Sequence, residues 1–195
     1  HLRDFRILWT ARSIHEVSRR MELLVLGYLI LQLTDSPFQV GLIAVFLNAP
    51  RPVLALFAGV IADRLDRRRV MIGVHAAFCA IATALLVLLS IDAIQPWHIF
   101  IAVFLQGAAQ VLDDPARRTT IFDLAGPGRI ASAMSLETMS NNGGKILGPL
   151  AAGCLIAGAN FVGAYAVLAA LDLASLLWMV RLRLPHQGRA SKLET

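Results

Sequence analysis

Gly59-Val60-Ile61-Ala62-Asp63-Arg64-Leu65-Asp66-Arg67-Arg68-Arg69 is a dense basic knot between two long apolar runs. The first run extends from about Phe38 to Ile61 and the second from Val70 to Ile91, with only a handful of polar residues between them. Each is long enough to cross a hydrocarbon layer of ~30 Å, which takes roughly 20 helical residues. Two membrane helices joined by so short a loop are antiparallel neighbours. The arginines hold that loop on the cytoplasmic side, because positive charge resists translocation. Gly59 lets a neighbouring helix approach closely, and Asp63 and Arg67, four residues apart, share one helical face.

The composition agrees with this reading. Hydrophobic residues make up 57% of the chain and charged residues 16%, and the mean hydropathy is +0.65, far from the balance of a soluble domain. The net charge of +5 does not point to nucleic acid, because the basic residues gather at helix ends instead of forming a solvated face with interleaved aromatics. Cys79 and Cys154 each lie inside an apolar run with no partner spacing, so neither a disulfide framework nor a metal site is indicated, and no cofactor is implied. The chain opens at His1 without a methionine or a cleavable signal pattern, and is expected to be a fragment.

The basic knot resembles the signature Gly-x-x-x-Asp-Arg-x-Gly-Arg-Arg that major facilitator superfamily transporters carry between their second and third helices. Gly59, Asp63, Arg64, Arg67 and Arg68 match it, and Asp66 stands at its second glycine. This variant is similar to a branch of bacterial exporters that includes enterobactin and macrolide efflux proteins. The resemblance implies the amino-terminal six-helix half of a twelve-helix fold, an all-α membrane protein with a 3+3 inverted repeat. It also implies a cytoplasmic latch of Gly59, Asp63, Arg64, Arg67 and Arg68, with Asp113 or Asp114 as the acidic partner of Arg67.

Six helices are expected over about 5–33, 38–61, 70–91, 97–115, 132–157 and 161–182. Together they form one transmembrane unit over 1–184, and 185–195 begins a cytoplasmic central loop. In the first helix the apolar stretch Leu23 to Leu33 is too short to span alone, so spanning recruits the charged half before it. Glu16, Arg19, Arg20 and Glu22 then lie within or near the membrane, where ionisable residues by default face a cavity or a partner. The competing reading is an amphipathic cytoplasmic extension with a shallow helix behind it. Pro50 and Pro52 interrupt the second helix and leave Arg51 in need of an acceptor. His75 reads as a helix-end packing residue and Asp172 as a polar packing contact.

Gln106, Gln110 and Asp113 form a polar stripe along the fourth helix, which Pro115 is expected to end. Gln106-Gly107 is similar to the tail of the superfamily's motif Arg-x-x-Gln-Gly, with Val103 at the arginine position. In the fifth helix Gly144, Gly148 and Ala152 repeat every four residues, a face suited to tight helix contact. Its Gly148-Pro149-x-x-Ala152-Gly153 core resembles the superfamily's antiporter motif. On that resemblance Gly144, Gly148, Pro149 and Gly153 form a seam toward the absent carboxy-terminal half, with Lys145 mid-membrane.

Thirteen of the eighteen Lys and Arg residues fall at the expected cytoplasmic ends, and the other five (Arg12, Arg19, Arg20, Arg51, Lys145) lie within helices. The turns at Asp35, Asp92 and Gly158 carry none, which favours six spans with both ends cytoplasmic. The functional expectation is a secondary active transporter of the bacterial inner membrane, a proton-coupled efflux antiporter working by alternating access. Its partners would be the lipid bilayer, the carboxy-terminal half, a small-molecule substrate and protons. Glu16, Arg19, Arg20, Glu22, Arg51, Gln106, Gln110 and Lys145 are the cavity candidates. Glu16 or Glu22, with Asp113 in reserve, would carry the proton. An uptake carrier and a stand-alone six-helix channel or homodimeric carrier are the alternatives. An enzyme is disfavoured, because no nucleophile–base pattern or nucleotide loop occurs.

Overall fold

A computed structural model describes residues 2–55 and 66–181, and every regular element among them is helical. Helix α1 covers Leu2–Thr34 and α2 covers Pro37–Asn48, after which a turn at Ala49 leads into further helix as far as Ala55. Helix α3 covers Arg67–Ser90, α4 covers Pro96–Ala125, a 3-10 turn occupies Pro127–Arg129, and α5 covers Ile130–Val180.

Local chemistry sets these boundaries. Pro37 and Pro96 sit at helix starts, where the missing N–H costs nothing. Asp66 caps α3, its carboxylate accepting the Arg68 N–H at 2.9 Å, so Arg67, Arg68 and Arg69 form the first turn of a helix and not its preceding loop. The fourth helix, expected to stop at Pro115, runs ten residues further. Two forces carry it through the proline: Arg117 bonds back to Asp113 and Asp114 across the break, and Ala116, Ile121 and Leu124 reach an apolar cluster beyond it.

Helix α5 is two helices joined at one residue. Asn160 takes φ 57° and ψ −173°, and its side chain accepts the Gly163 N–H at 3.2 Å. Before this break Leu136 and Ser140 bond Trp9 and Ser13 of α1; after it Asp172 lies against His15 and Trp178 bonds Thr10. The first arm therefore runs parallel to α1 and the second antiparallel, a hairpin reversal. The same logic orients α4 antiparallel to α1, with Arg12 facing Asp113 and Gln106 facing Glu22. The helical segments thus alternate in direction. Asp35 (φ 50°), Asp92 (φ 54°) and Asn160 (φ 57°) close the turns at one end of the bundle, all three at the positive φ that Asp and Asn visit more readily than other side chains, Asn160 with an extended ψ that is strained for any residue but glycine.

Two apolar clusters fill the bundle. One joins Leu26, Leu29 and Ile30 to Ile43, Leu85, Ile99 and Leu168; the other joins Leu8 and Ala11 to Met71, Ile121 and Met179 at the opposite end. Between them lies a belt of buried polar side chains. Outside, Phe38, Val53, Ile91 and Ile146 expose most of their apolar surface, a surface suited to lipid and not to water. Among the described residues, four segments are long and apolar enough to cross a membrane: Pro37–Ala55, Arg67–Ser90, Pro96–Ala125 and Asn160–Val180. The charged half of α1 and the polar residues of the first α5 arm set those two helices apart from the four.

Candidate functional site

The polar belt has two lobes of different chemistry. In the first, Glu16 is fully buried and lies 3.0 Å from Arg12, 2.5 Å from Arg19 and 3.3 Å from Arg20. These partners stand three or four residues away on one helix, so helical geometry alone brings them together. Arg12 also reaches Asp113 at 3.7 Å, and Arg117 binds Asp113 at 3.2 Å, Asp114 at 2.8 Å and Glu137. Arg20 donates to Asn141 at 3.1 Å. Four arginines (12, 19, 20, 117) thus meet four carboxylates (16, 113, 114, 137), a balanced network spanning α1, α4 and the first arm of α5. Its end lines a small cleft with Phe5, Leu8 and Trp9.

The second lobe holds acids without a cation. Glu22 is buried against Gln106 and within Coulombic range of Asp172. His15 Nδ1 lies 3.5 Å from Asp172 Oδ1, and the His15 and His75 rings stand 4.6 Å apart. Ser175 Oγ donates to the Ala11 carbonyl at 2.9 Å and meets His75 Nδ1 at 2.9 Å. A hydroxyl has one hydrogen, so with it committed to Ala11 the imidazole is the donor to Ser175, placing the His75 proton on Nδ1. Glu22 Oε1, both Asp172 oxygens and the Tyr165 hydroxyl are buried without a hydrogen-bond partner. Among the described residues no group of three His, Cys, Asp or Glu converges as metal ligands.

Residues 2–194 match the family described as transmembrane secretion effectors. The chain belongs to the major facilitator superfamily. It is 30% identical over 135 residues to the uncharacterized MFS-type transporter YfiS of Bacillus subtilis, covering 69% of this chain and 31% of that protein. It is 26% identical over 192 residues to the enterobactin exporter EntS of Salmonella typhimurium, covering 95% of this chain and 45% of the exporter. The chain thus spans less than half the length of the curated relatives it matches.

Within this transporter fold the expected site residues fall into place unevenly. Gly59, Asp63 and Arg64 lie outside the described residues. Arg67 donates to Asp123 at 2.5 Å, and not to Asp113 or Asp114, which Arg117 occupies. The extra length of α4 supplies that partner. Arg68 donates to the Val180 carbonyl at 2.8 Å, linking the start of α3 to the end of α5. Arg51 finds Gln110 at 3.4 Å, and Lys145, exposed, lies 3.3 Å from Asn142.

The small-residue face of α5 turns out to pack on α1. A Cβ at Gly144 would lie 2.8 Å from Glu16 Cγ, and one at Gly148 would lie 2.5 Å from Arg20 Cβ. Gly144 and Gly148 therefore belong to an internal contact, whereas a Cβ at Gly153 would meet open space. Pro149 stands between them, half-buried. Gly107 is a second close approach, where a Cβ would collide with the Leu47 carbonyl and touch Pro50. The sequence reading missed Asp123 and Glu137 as partners and undervalued His15, His75 and Asp172. Only the pairing of distant helices reveals them.

Proposed function

We propose that residues 1–184 are the amino-terminal, six-span half of a proton-coupled efflux antiporter that moves small molecules by alternating access. It resides in the bacterial cytoplasmic membrane with both ends of the segment inside, and works with a carboxy-terminal half of similar architecture. Three helices on each side of the α3–α4 turn would form the inverted repeat common to such carriers. One observation carries this reading: the belt of buried ionisable side chains between two apolar clusters. Such groups are expensive inside a membrane and by default serve a pathway or a partner.

The balanced arginine–carboxylate lobe is suited to rearrange as a unit, since its guanidiniums have alternative acceptors within reach. At the cytoplasmic end, the contacts of Arg67 with Asp123 and Arg68 with Val180 support a latch that also includes Gly59, Asp63 and Arg64. The proton gradient supplies ~2.3 kcal/mol per charge per 100 mV and about 1.4 kcal/mol per pH unit. Because one relative is an enterobactin exporter, enterobactin is the first substrate to try.

The test uses the full-length transporter in everted vesicles. Accumulation of enterobactin or of a panel of small molecules driven by an acidic interior, and abolished by a protonophore, is the expected result. Accumulation indifferent to the gradient would overturn proton coupling, and movement only toward the cytoplasm would make the protein an uptake carrier.

A further inference from the structure

The two lobes of the belt differ in charge balance. Around Glu16 every carboxylate has an arginine. Around Glu22 and Asp172 there is none in contact, and the groups facing them are a glutamine, a phenol and an imidazole. Two carboxylates cannot remain charged together in apolar surroundings without compensation, because an uncompensated buried charge costs several kcal/mol. Protons are the compensating charge that the surroundings leave open.

We propose that Glu22 of α1 and Asp172 of the second α5 arm, with His15 between them and the cytoplasmic end, form one coupled proton-exchange site. Resting on the antiport reading above, it selects Glu22 over Glu16 and Asp113 as the carrier and adds Asp172, a residue in a helix expected to be peripheral. The geometry supports each part. Both Asp172 oxygens and Glu22 Oε1 lack hydrogen-bond partners, so each acid has an oxygen open to a proton. His15 touches Asp172 on one side and the His75 ring on the other, and Tyr165 offers its unpartnered hydroxyl within range of both acids. Cys79 of α3 also lies within range of Asp172. Asp113 and Arg12, which face His75 from α4 and α1, mark the boundary with the balanced lobe. In exchange, a proton from water on one side binds a carboxylate oxygen and is returned to water on the other; no other bond changes. His15 acts here as a positioning residue.

The site can be read without any substrate by infrared difference spectroscopy of the intact transporter in liposomes across a pH titration. Subtracting Glu22→Gln and Asp172→Asn spectra from wild type isolates each carboxyl signal. In a coupled site, removing either acid shifts the titration of the one that remains, and His15→Asn shifts both. The turn variant Asp92→Asn is expected to remove only its own band. Two acids that titrate independently, each unmoved by loss of the other, would overturn the proposal even if each variant folds normally. Should one variant fail to fold, the reciprocal one still gives the shift or its absence. In the vesicle assay above, gradient-driven accumulation is expected to be lost in Glu22→Gln and Asp172→Asn while gradient-free exchange persists. Wild-type transport indifferent to the gradient would sink the antiport reading and leave the coupled titration standing. Gradient-driven transport with uncoupled acids would sink this site alone.

Discussion

At the residue scale, two glutamates six positions apart on one helix have opposite energetics. Glu16 anchors three guanidiniums, so Glu16→Gln leaves buried positive charge unmatched and is expected to cost ~3–5 kcal/mol. Glu22 has no cation, and Glu22→Gln removes a carboxyl whose burial is itself unfavourable. Its thermal unfolding in detergent should match or exceed wild type, whereas Glu16→Gln should melt earlier. Equal losses in both would refute the distinction between the lobes. Gly148 illustrates steric control at the same scale. A side chain there would enter the α1 backbone beside Arg20 and Met21, so Gly148→Leu is expected to destabilise the bundle by about 1–3 kcal/mol, as overpacking does. A variant with unchanged thermal stability but no turnover would instead return this glycine to a moving seam between halves.

At the element scale, the reversal inside α5 depends on one backbone conformation. Asn160, at φ 57° and ψ −173°, occupies a region nearly reserved for glycine, and holding another residue there costs on the order of 1–3 kcal/mol. Asn160→Gly relieves that strain and surrenders a cap at a penalty of a few tenths of a kcal/mol, so its midpoint of unfolding should rise. Asn160→Val loses the cap and adds β-branching, and should fall below wild type. At the start of α3, Asp66→Ala removes the acceptor of the Arg68 N–H and leaves three arginines at the positive end of a helix dipole. A loss of ~1 kcal/mol is expected from the cap alone, and chemical denaturation would measure it. The length of α4 was the element least legible in advance. Pro115 is a sound stop signal locally, but Arg117 bonding across it and the burial of Ile121 and Leu124 outweigh the lost backbone bond.

At the scale of the whole molecule, the alternating helices place Asp35, Asp92 and Asn160 at one end, with Arg67 and Arg181 at the other. Cysteines introduced at Asp35 and Asp92, in a background lacking Cys79 and Cys154, should react with an impermeant thiol reagent from outside intact cells, and one at Arg181 only in everted vesicles. Labelling of all three from the same side would refute the topology. What the sequence determined by itself is the membrane class, the turns and the basic end, because hydrophobic length, glycine and proline punctuation and arginine placement act through a few adjacent residues. The shared face of Arg12, Glu16 and Arg19, with Arg20 flanking it, follows from the helical period for the same reason, and the structure shows all three arginines on Glu16. The tertiary structure alone decided that Asp172 meets His15, that Arg117 takes Glu137, that Arg67 takes Asp123 and that Gly148 abuts Arg20. These contacts join residues far apart in the chain, and their register depends on how whole helices cross, which no periodicity along a single helix encodes.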